Sequence, residues 1–498
     1  MRAGIIDLGS NTTRLMVFEV HDDGTFRIVE GLKDLTKLES GITKSRRIDE
    51  PSIERALNSV SIFKEFCDAL GVKKIMGVAT AAVRSAVNGE ELIEKIKREL
   101  ALDIRIISGE EEGELDYYGV INTMDLRDGY ILDMGGGSME LTGVREGELS
   151  STKVIPYGAI DMSERLYSSY GSEVLEKDLR KRLSSVEKGA DTLVGVGGTI
   201  RAIAKLDMKR KRYPIRILHN YSMNRKDVDK ILKSLKGKNI NEIIEKGVSA
   251  SRAELIFPGA VALKTVMDVL GIEKLRISHS GIREGILYRD VLKVKGEPLD
   301  MSVKNMMSFY GVNVKHAESV ENITLALFDS LKERHGGGEE ERKLLSVAAK
   351  LHDIGLAIGY YDHGENGCSI VLNNGIYGLE HRDIVKCALI IKLHTDDGFK
   401  GYKGILSDKD KRDVINLSVL LRIAEAMDIT ESGFVRQVFC EIRDGALHLD
   451  LSSNLSTGTS PSPDQKVEGK RKKLWSYGIE KNGELFLKTY GLRLEIDC

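Results

Sequence analysis

Over the first 300 residues, short apolar runs alternate with longer stretches of helical period. Apolar runs at 3–6, 74–80, 103–107, 130–132, 192–198 and 275–278 read as strands. Between them, Ile53, Leu57, Val60, Ile62, Phe63, Phe66 and Leu70 recur at helical spacing, and Gly71 follows as a stop. Helices are also expected at 81–86, 164–183 and 200–206. Strands alternating with helices predict an α/β fold.

The pattern changes after the break at Lys295-Gly296-Glu297-Pro298. From Val303 the period is helical, as in 319–331 and 343–351, with Gly336-Gly337-Gly338 between those two helices. From Phe434 the runs 438–442, 447–451 and 485–488 read as strands. The stretch 452–465, rich in Ser, Thr and Pro, reads as a mobile loop.

The chemistry concentrates where strands stop. Gly129 to Gly143 reads as strand, Asp133, three glycines, Ser138, Met139, Glu140, strand. Glycines leave no Cβ in the way, so a phosphate can approach Gly136, Gly137 and Ser138 closely. Asp133 and Glu140 flank that cradle, a common way to hold Mg²⁺ beside a phosphate. Ala3 to Val20 repeats the grammar, with Asp7, Gly9, Ser10 and Asn11 between two strands and Arg14 within reach of a phosphate. Two copies of strand–Asp–x–Gly–strand predict an internal structural repeat. Gly197-Gly198-Thr199 ends a third strand and opens a helix, another phosphate-type turn. Arg84 sits one turn into its helix, a position suited to an anion, and the run Lys209-Arg210-Lys211-Arg212 is a local basic patch. Of Glu110, Glu111 and Glu112, one could point inward as a general base.

Composition narrows the classes. With 498 residues the chain suits roughly three domains. Apolar residues make up 41% and charged residues 30%, as in a soluble protein, and no apolar stretch is long enough to cross a membrane. A net charge of −2 offers no global field for nucleic acid. The chain enters a strand at once, and its five scattered cysteines argue for reduced thiols, so a cytoplasmic location is expected.

Together, Ile6-Asp7-Leu8-Gly9-Ser10-Asn11, Val78-Ala79-Thr80 with Arg84, Ser108-Gly109 with Glu111-Glu112, Asp133 to Glu140, Gly197-Gly198-Thr199 and Gly281 to Gly285 resemble the exopolyphosphatase/guanosine pentaphosphate phosphohydrolase (Ppx/GppA) family. That family lies within the sugar kinase–Hsp70–actin (ASKHA) superfold. The resemblance implies two actin-like, ribonuclease H-like lobes at 1–118 and 119–298. It extends to a mainly helical HD-like domain at 301–430, leaving a small C-terminal α+β region at 431–498.

It further implies hydrolysis of a terminal phosphoanhydride. Glu112 falls on the catalytic glutamate, Glu140 on the glutamate of the glycine motif, and Asp133 on the metal-linked aspartate. Asp7, Asn11, Arg84, Ser138, Gly198 and Thr199 fall on phosphate-side positions. Met139 departs from the threonine usual there. Mg²⁺ (or Mn²⁺) is the expected cofactor, inorganic polyphosphate or guanosine pentaphosphate the expected substrate, and a homodimer the expected assembly. Neither a nucleic acid nor a membrane is an expected partner. In the HD-like part, His316, His352, Asp353 and Asp428 form a possible second metal site, with His363 and His394 as further partners. Members often carry His-His-x-His where this chain has His363-Gly364-Glu365-Asn366. That departure turns the reading of this part toward docking or holding polyphosphate.

Exopolyphosphatase activity is the leading expectation, with pentaphosphate hydrolysis and a non-catalytic alarmone sensor as alternatives. A kinase of the same superfold would need an adenosine pocket, and an actin-like filament protein would sediment with nucleotide.

Overall fold

A computed structural model describes residues 1–498 apart from 40–41, 167–170, 397, 399–401, 403, 432–437, 451–464 and 498; at 43, 44, 465–472 and 479 it describes the backbone alone. It divides into two compact units, 1–213 with 218–299, and 214–217 with 300–498.

The first unit holds two sheets. Strands β1 (Arg2–Leu8), β2 (Thr13–Val20), β3 (Phe26–Asp34), β4 (Lys74–Ala79) and β5 (Ile104–Ile106) stand in the order β3-β2-β1-β4-β5. The second sheet is built from β6 (Gly129–Met134), β7 (Met139–Arg145), β8 (Glu148–Ile155), β9 (Thr192–Val196), β10 (Ser222–Asn224) and β11 (Lys274–Ile277), in the order β10-β11-β9-β6-β7-β8. Without the edge strand β10 the two orders are the same. In each sheet the first strand is central, antiparallel to a hairpin partner and parallel to a later strand. The repeat expected from the two Asp–x–Gly turns is therefore a repeat of topology. Central strands covered on both faces need continuous apolar runs, and β6 is buried along its whole length.

Helix ends follow local chemistry. Glu50–Ala69 starts at Asp49, whose side chain accepts from the Ser52 N–H, and stops before Gly71 at φ 65°. Gly109–Ile121 starts at Ser108, which accepts from the Glu111 N–H. This second cap matters most for the site, because it turns Glu112 and Asp116, four residues apart, onto one buried face. That helix lies hard against the short helix Ile282–Ile286. A Cβ on Gly285 would stand 1.9 Å from the Leu115 carbonyl oxygen, and one on Gly119 would stand 2.6 Å from that of Gly281.

The second unit is mainly helical, with helices Val314–Ser330, Glu339–Leu351, His363–Asn374, His381–Leu393, Asp408–Met427 and Gln465–Tyr490. A sheet of β12 (Phe439–Arg443), β13 (Ala446–Asp450) and β14 (Arg493–Asp497) completes it. The strand expected at 485–488 is instead the last turn and a half of the helix Gln465–Tyr490, with Phe486 buried and Leu487 exposed. A run that short carries no decisive period; the strand lies just beyond it, after Gly491 in the left-handed conformation. The expected loop 452–465 falls outside the described residues except for Gln465, which opens the helix.

Gly285→Ala tests the helix contact. It should lower stability by about 1–3 kcal/mol, the usual cost of forced overpacking, in urea unfolding. Wild-type stability would show that the contact yields.

Candidate active site

The hairpin turns β1–β2 and β6–β7 open into one cleft of the first unit. Strand register sets what each turn presents. Asp7 stands opposite Arg14 across β1–β2, and Asp133 opposite Glu140 across β6–β7. Directly opposed residues of an antiparallel pair share a face. At corresponding places, then, one repeat offers an acid and a base, the other two acids.

The floor is acidic. Glu112, Asp133 and Glu140 are buried, each offering a carboxylate oxygen within 4.8 Å of the others. Asp116 adds a fourth buried carboxylate, 1% exposed. Both oxygens of Asp116, both of Glu140 and Oδ1 of Asp133 are buried without a hydrogen-bond partner. Leaving such groups unsatisfied is costly, so a cation or proton belongs there. The electrostatics agree. Burial pushes Glu112 up to about 7, against the pull of Arg84 and with help from Asp133 and Asp7. Burial pushes Asp133 up to about 6, opposed by Arg201 and aided by Asp7. Burial and the neighbouring carboxylates carry Asp116 and Glu140 well above the ordinary range.

Arg84 holds this floor from the side. Its Nη1 donates to Glu112 Oε2 at 2.9 Å and to the Ile107 carbonyl at 2.9 Å; its Nη2 reaches Ser138 Oγ at 3.4 Å and lies 3.8 Å from Glu140 Oε1.

The cleft is also lined by four cations, Arg14, Arg201, Arg252 and Arg283. Among the described residues none of the four has a carboxylate within 4.0 Å. Burial first, then Arg14 and Arg283, push Arg201 down to about 10. Arg201 is fixed by its bonds to the carbonyls of Gly197 (3.1 Å) and His279 (3.0 Å). Gly198 leaves room for Arg252, whose Nη2 would stand 2.4 Å from a Cβ there.

Asp7, Asn11, Arg14, Glu112, Asp133, Gly136, Ser138, Gly197 and Gly198 all line the cleft. Five expectations need correction. Glu140, 1% exposed, is buried beside Glu112 and Asp133 and does not line the open cleft. Arg84 grips Glu112 instead of lining the open cleft. Gly137 packs on the Glu39 carboxylate, 2.5 Å from its Cβ position. The Thr199 side chain is fully buried against Gly259. The run 209–212 does not line the cleft: Arg210 and Lys211 are paired to Asp207 and Asp227, and Lys209 donates to the Lys246 carbonyl. His316, His352, Asp353 and Asp428 do gather in the second unit.

Sequence reading missed Asp116, Arg201 and Arg252. Asp116 was signalled by its place one turn after Glu112, and Arg201 by its place just inside the helix behind Gly197-Gly198. Arg252 carried no local signal.

A duplicated α/β fold whose turns meet on buried acids and a cluster of arginines defines a phosphate-handling enzyme of the actin-like superfold. The chain belongs to the Ppx/GppA phosphatase family, whose profile matches residues 16–294, with the family's domain III matching 300–456. It is thus a hydrolase of phosphoanhydride bonds. A guanosine-5'-triphosphate,3'-diphosphate pyrophosphatase of Vibrio atlanticus is 27% identical over 390 residues, 75% of this chain and 76% of that protein. The crystal structure of the Aquifex aeolicus family member is 28% identical, with a TM-score of 0.53 over 59% of this chain and 98% of its own. That of an exopolyphosphatase from Cytophaga hutchinsonii is 25% identical, with a TM-score of 0.52 over 60% of this chain and all of its own. Among the described residues no helix is long and apolar enough to cross a membrane.

The raised carboxyls fix a pH signature. Between the ordinary values, 4.5 for Glu112 and 3.8 for Asp133, and the folded ones near 7 and 6, the folded chain binds more protons than the unfolded. Stability should therefore fall as pH rises through that window in metal-free buffer. Glu112→Gln should flatten part of the fall in melting temperature from pH 5 to pH 8. A profile rising with pH, or unchanged in the variant, would contradict the burial argument.

Proposed function

We propose that the chain is an exopolyphosphatase, releasing terminal orthophosphate from inorganic polyphosphate by attack of water. The observation that carries this reading is the charge of the cleft: four arginines without carboxylate partners among the described residues line it together with Glu112, Asp116 and Asp133, and Glu140 is buried beside them. The arginines would hold successive phosphates, with backbone N–H groups of the turns at 7–11, 135–138 and 197–198 around the terminal one. Among the described residues lining the cleft none is Phe, Tyr or Trp, which suits a chain of phosphates better than a stacked base.

The orphaned oxygens of Asp133 and Glu140 are the donor set of a hard divalent ion, and these residues would hold Mg²⁺ or Mn²⁺, with Asp116 behind them. Such an ion would offset charge on the transferring oxygens. Glu112 would accept the proton of the attacking water. A base whose proton affinity lies near neutrality is suited to that task. Arg84 would orient the Glu112 carboxylate and keep it ionised more readily than burial alone would.

A second reading, removal of the terminal 5'-phosphate of guanosine pentaphosphate, is favoured by the name of the Vibrio relative. Orthophosphate release from both substrates, with and without MgCl₂, separates the two. Faster release from polyphosphate is expected, and release from pentaphosphate alone would overturn the first reading. Glu112→Gln should lose about 10²–10⁴-fold in kcat while remaining folded. Wild-type turnover in that variant would remove Glu112 from its role.

A further inference from the structure

Glu39 is a buried acid with no part in the chemistry proposed for the cleft. It is 6% exposed, and its Oε2 is buried without a hydrogen-bond partner. An ionised carboxylate in such a place is costly. Glu39 lies against the glycines of the turn after β6. A Cβ on Gly137 would stand 2.5 Å from Glu39 Oε1, and one on Gly136 would stand 3.1 Å from Oε2. Glycine at both places is what leaves room for the carboxyl.

Backbone bonds put this carboxyl at a join between the two repeats. The Glu39 N–H donates to the Ser10 carbonyl at 3.0 Å, and the Lys37 N–H donates to that of Asn11 at 3.1 Å. The segment 37–39 is thereby tied to the turn after β1. On the other side, the N–H groups of Ala159 and Ile160 donate to the carbonyls of Gly135 and Gly136 at 2.9 and 3.0 Å. Those bonds tie the helix Ala159–Arg165 to the turn after β6. Glu39 thus travels with one repeat and Asp161 with the other. Ser10 packs at the same join, its Cβ 2.8 Å from the Cβ position of Gly136.

Two acids meet there. The groups facing Glu39 are Asp161, within hydrogen-bonding reach, the Ser10 hydroxyl and, further off, Glu164. Asp161 is half-buried; it accepts from the Gly158 N–H at 3.4 Å and faces Glu39, Arg165 and Glu164. Burial first, then the Asp161 charge, push Glu39 up to about 8. Burial also raises Asp161, but the Gly158 N–H and Arg165 draw it back. The proton therefore belongs to Glu39, whose hydroxyl donates to the Asp161 carboxylate. Two carboxylates this close cannot both ionise without strong repulsion.

On the reading that both turns hold phosphate, we propose that Glu39 is a positioning residue: a proton shared between Glu39 and Asp161 clasps the turn at 135–138 against the turn at 9–11, and loss of that proton lets the two turns part. Once ionised, Glu39 escapes Asp161 only by moving off Gly136 and Gly137, and those glycines belong to the phosphate cradle. Grip on the substrate then weakens as pH rises. Glu112 stands on a different helix, so the group that handles the attacking water is left in place.

Glu39→Gln keeps the shape and a permanent donor, and Glu39→Ala removes both. Orthophosphate release from polyphosphate by the full chain is followed from pH 7 to pH 9 in saturating MgCl₂. With the clasped form reduced to about a tenth at the upper end, KM of wild type should rise about tenfold, and that of Glu39→Gln less than about twofold. Glu39→Ala should have a raised KM at both ends, and the kcat ratio of wild type to Glu39→Gln should stay constant with pH. If the chain releases phosphate from guanosine pentaphosphate alone, the same comparison of KM on that substrate decides, so loss of the polyphosphate reading leaves the test intact. A second measurement needs no substrate. Because folding raises Glu39 from 4.5 to about 8, its contribution to stability is lost as pH climbs through that range. In metal-free buffer the melting temperature of wild type should fall further between pH 7 and pH 9 than that of Glu39→Gln. Equal rises of KM in the two proteins, or equal falls in melting temperature, would overturn the proposal. So would a wild type that gains on the variant as pH rises, since a cation and not a proton would then sit between the acids.

Discussion

Burying carboxylates at the base of the cleft is the constraint around which the first unit is built. Asp7, Glu112, Asp116, Asp133 and Glu140 all have raised proton affinities because burial disfavours their charged forms. A fold bears that cost when something else stands to gain. Here the surrounding packing is tight enough that the acids cannot turn away: Gly285 against Leu115 and Gly119 against Gly281 fix the helix that carries Glu112 and Asp116. The stiffness of that contact and the electrostatic strain of the floor are two sides of one arrangement.

Opposite charge is kept apart instead of being allowed to cancel. Elsewhere on the molecule cations find acids readily, as Arg210 and Lys211 do with Asp207 and Asp227. Around the cleft, among the described residues, the acids find a cation in Arg84, which grips Glu112 from the side and lies 3.8 Å from Glu140. The four arginines lining the cleft remain without carboxylate partners among the described residues, and repel one another. A ligand carrying many negative charges would satisfy them, and a divalent cation the floor. Unmet demands of this kind cluster at functional sites.

Much of this was legible from residues. The turns after β1 and β6 announced themselves because glycine, a short acid and hydroxyl residues must be contiguous there to make a tight hairpin. The equal topology of the two sheets followed from seeing that grammar twice. Glu112 was legible only through the family resemblance, since the residues alone left Glu110, Glu111 and Glu112 equally open. What stayed hidden depends on contacts distant in sequence. Arg252 reaches the cleft only because Gly198 leaves space for it. Arg84 could be read as an anion site from its helix, but not as a clamp on Glu112, since that requires knowing how the helix at 81–85 faces the one at 109–121. The strand expected at 485–488 failed because four residues cannot reveal a period.

The paired hairpins carry one further implication. Duplication alone gives a scaffold with no preferred direction, since either half could serve as donor or acceptor side. The exchange of an arginine at 14 for what is a glutamate at 140 breaks that equivalence with a single side chain. The two halves of the site would then present opposite charge at corresponding places to whatever lies between them.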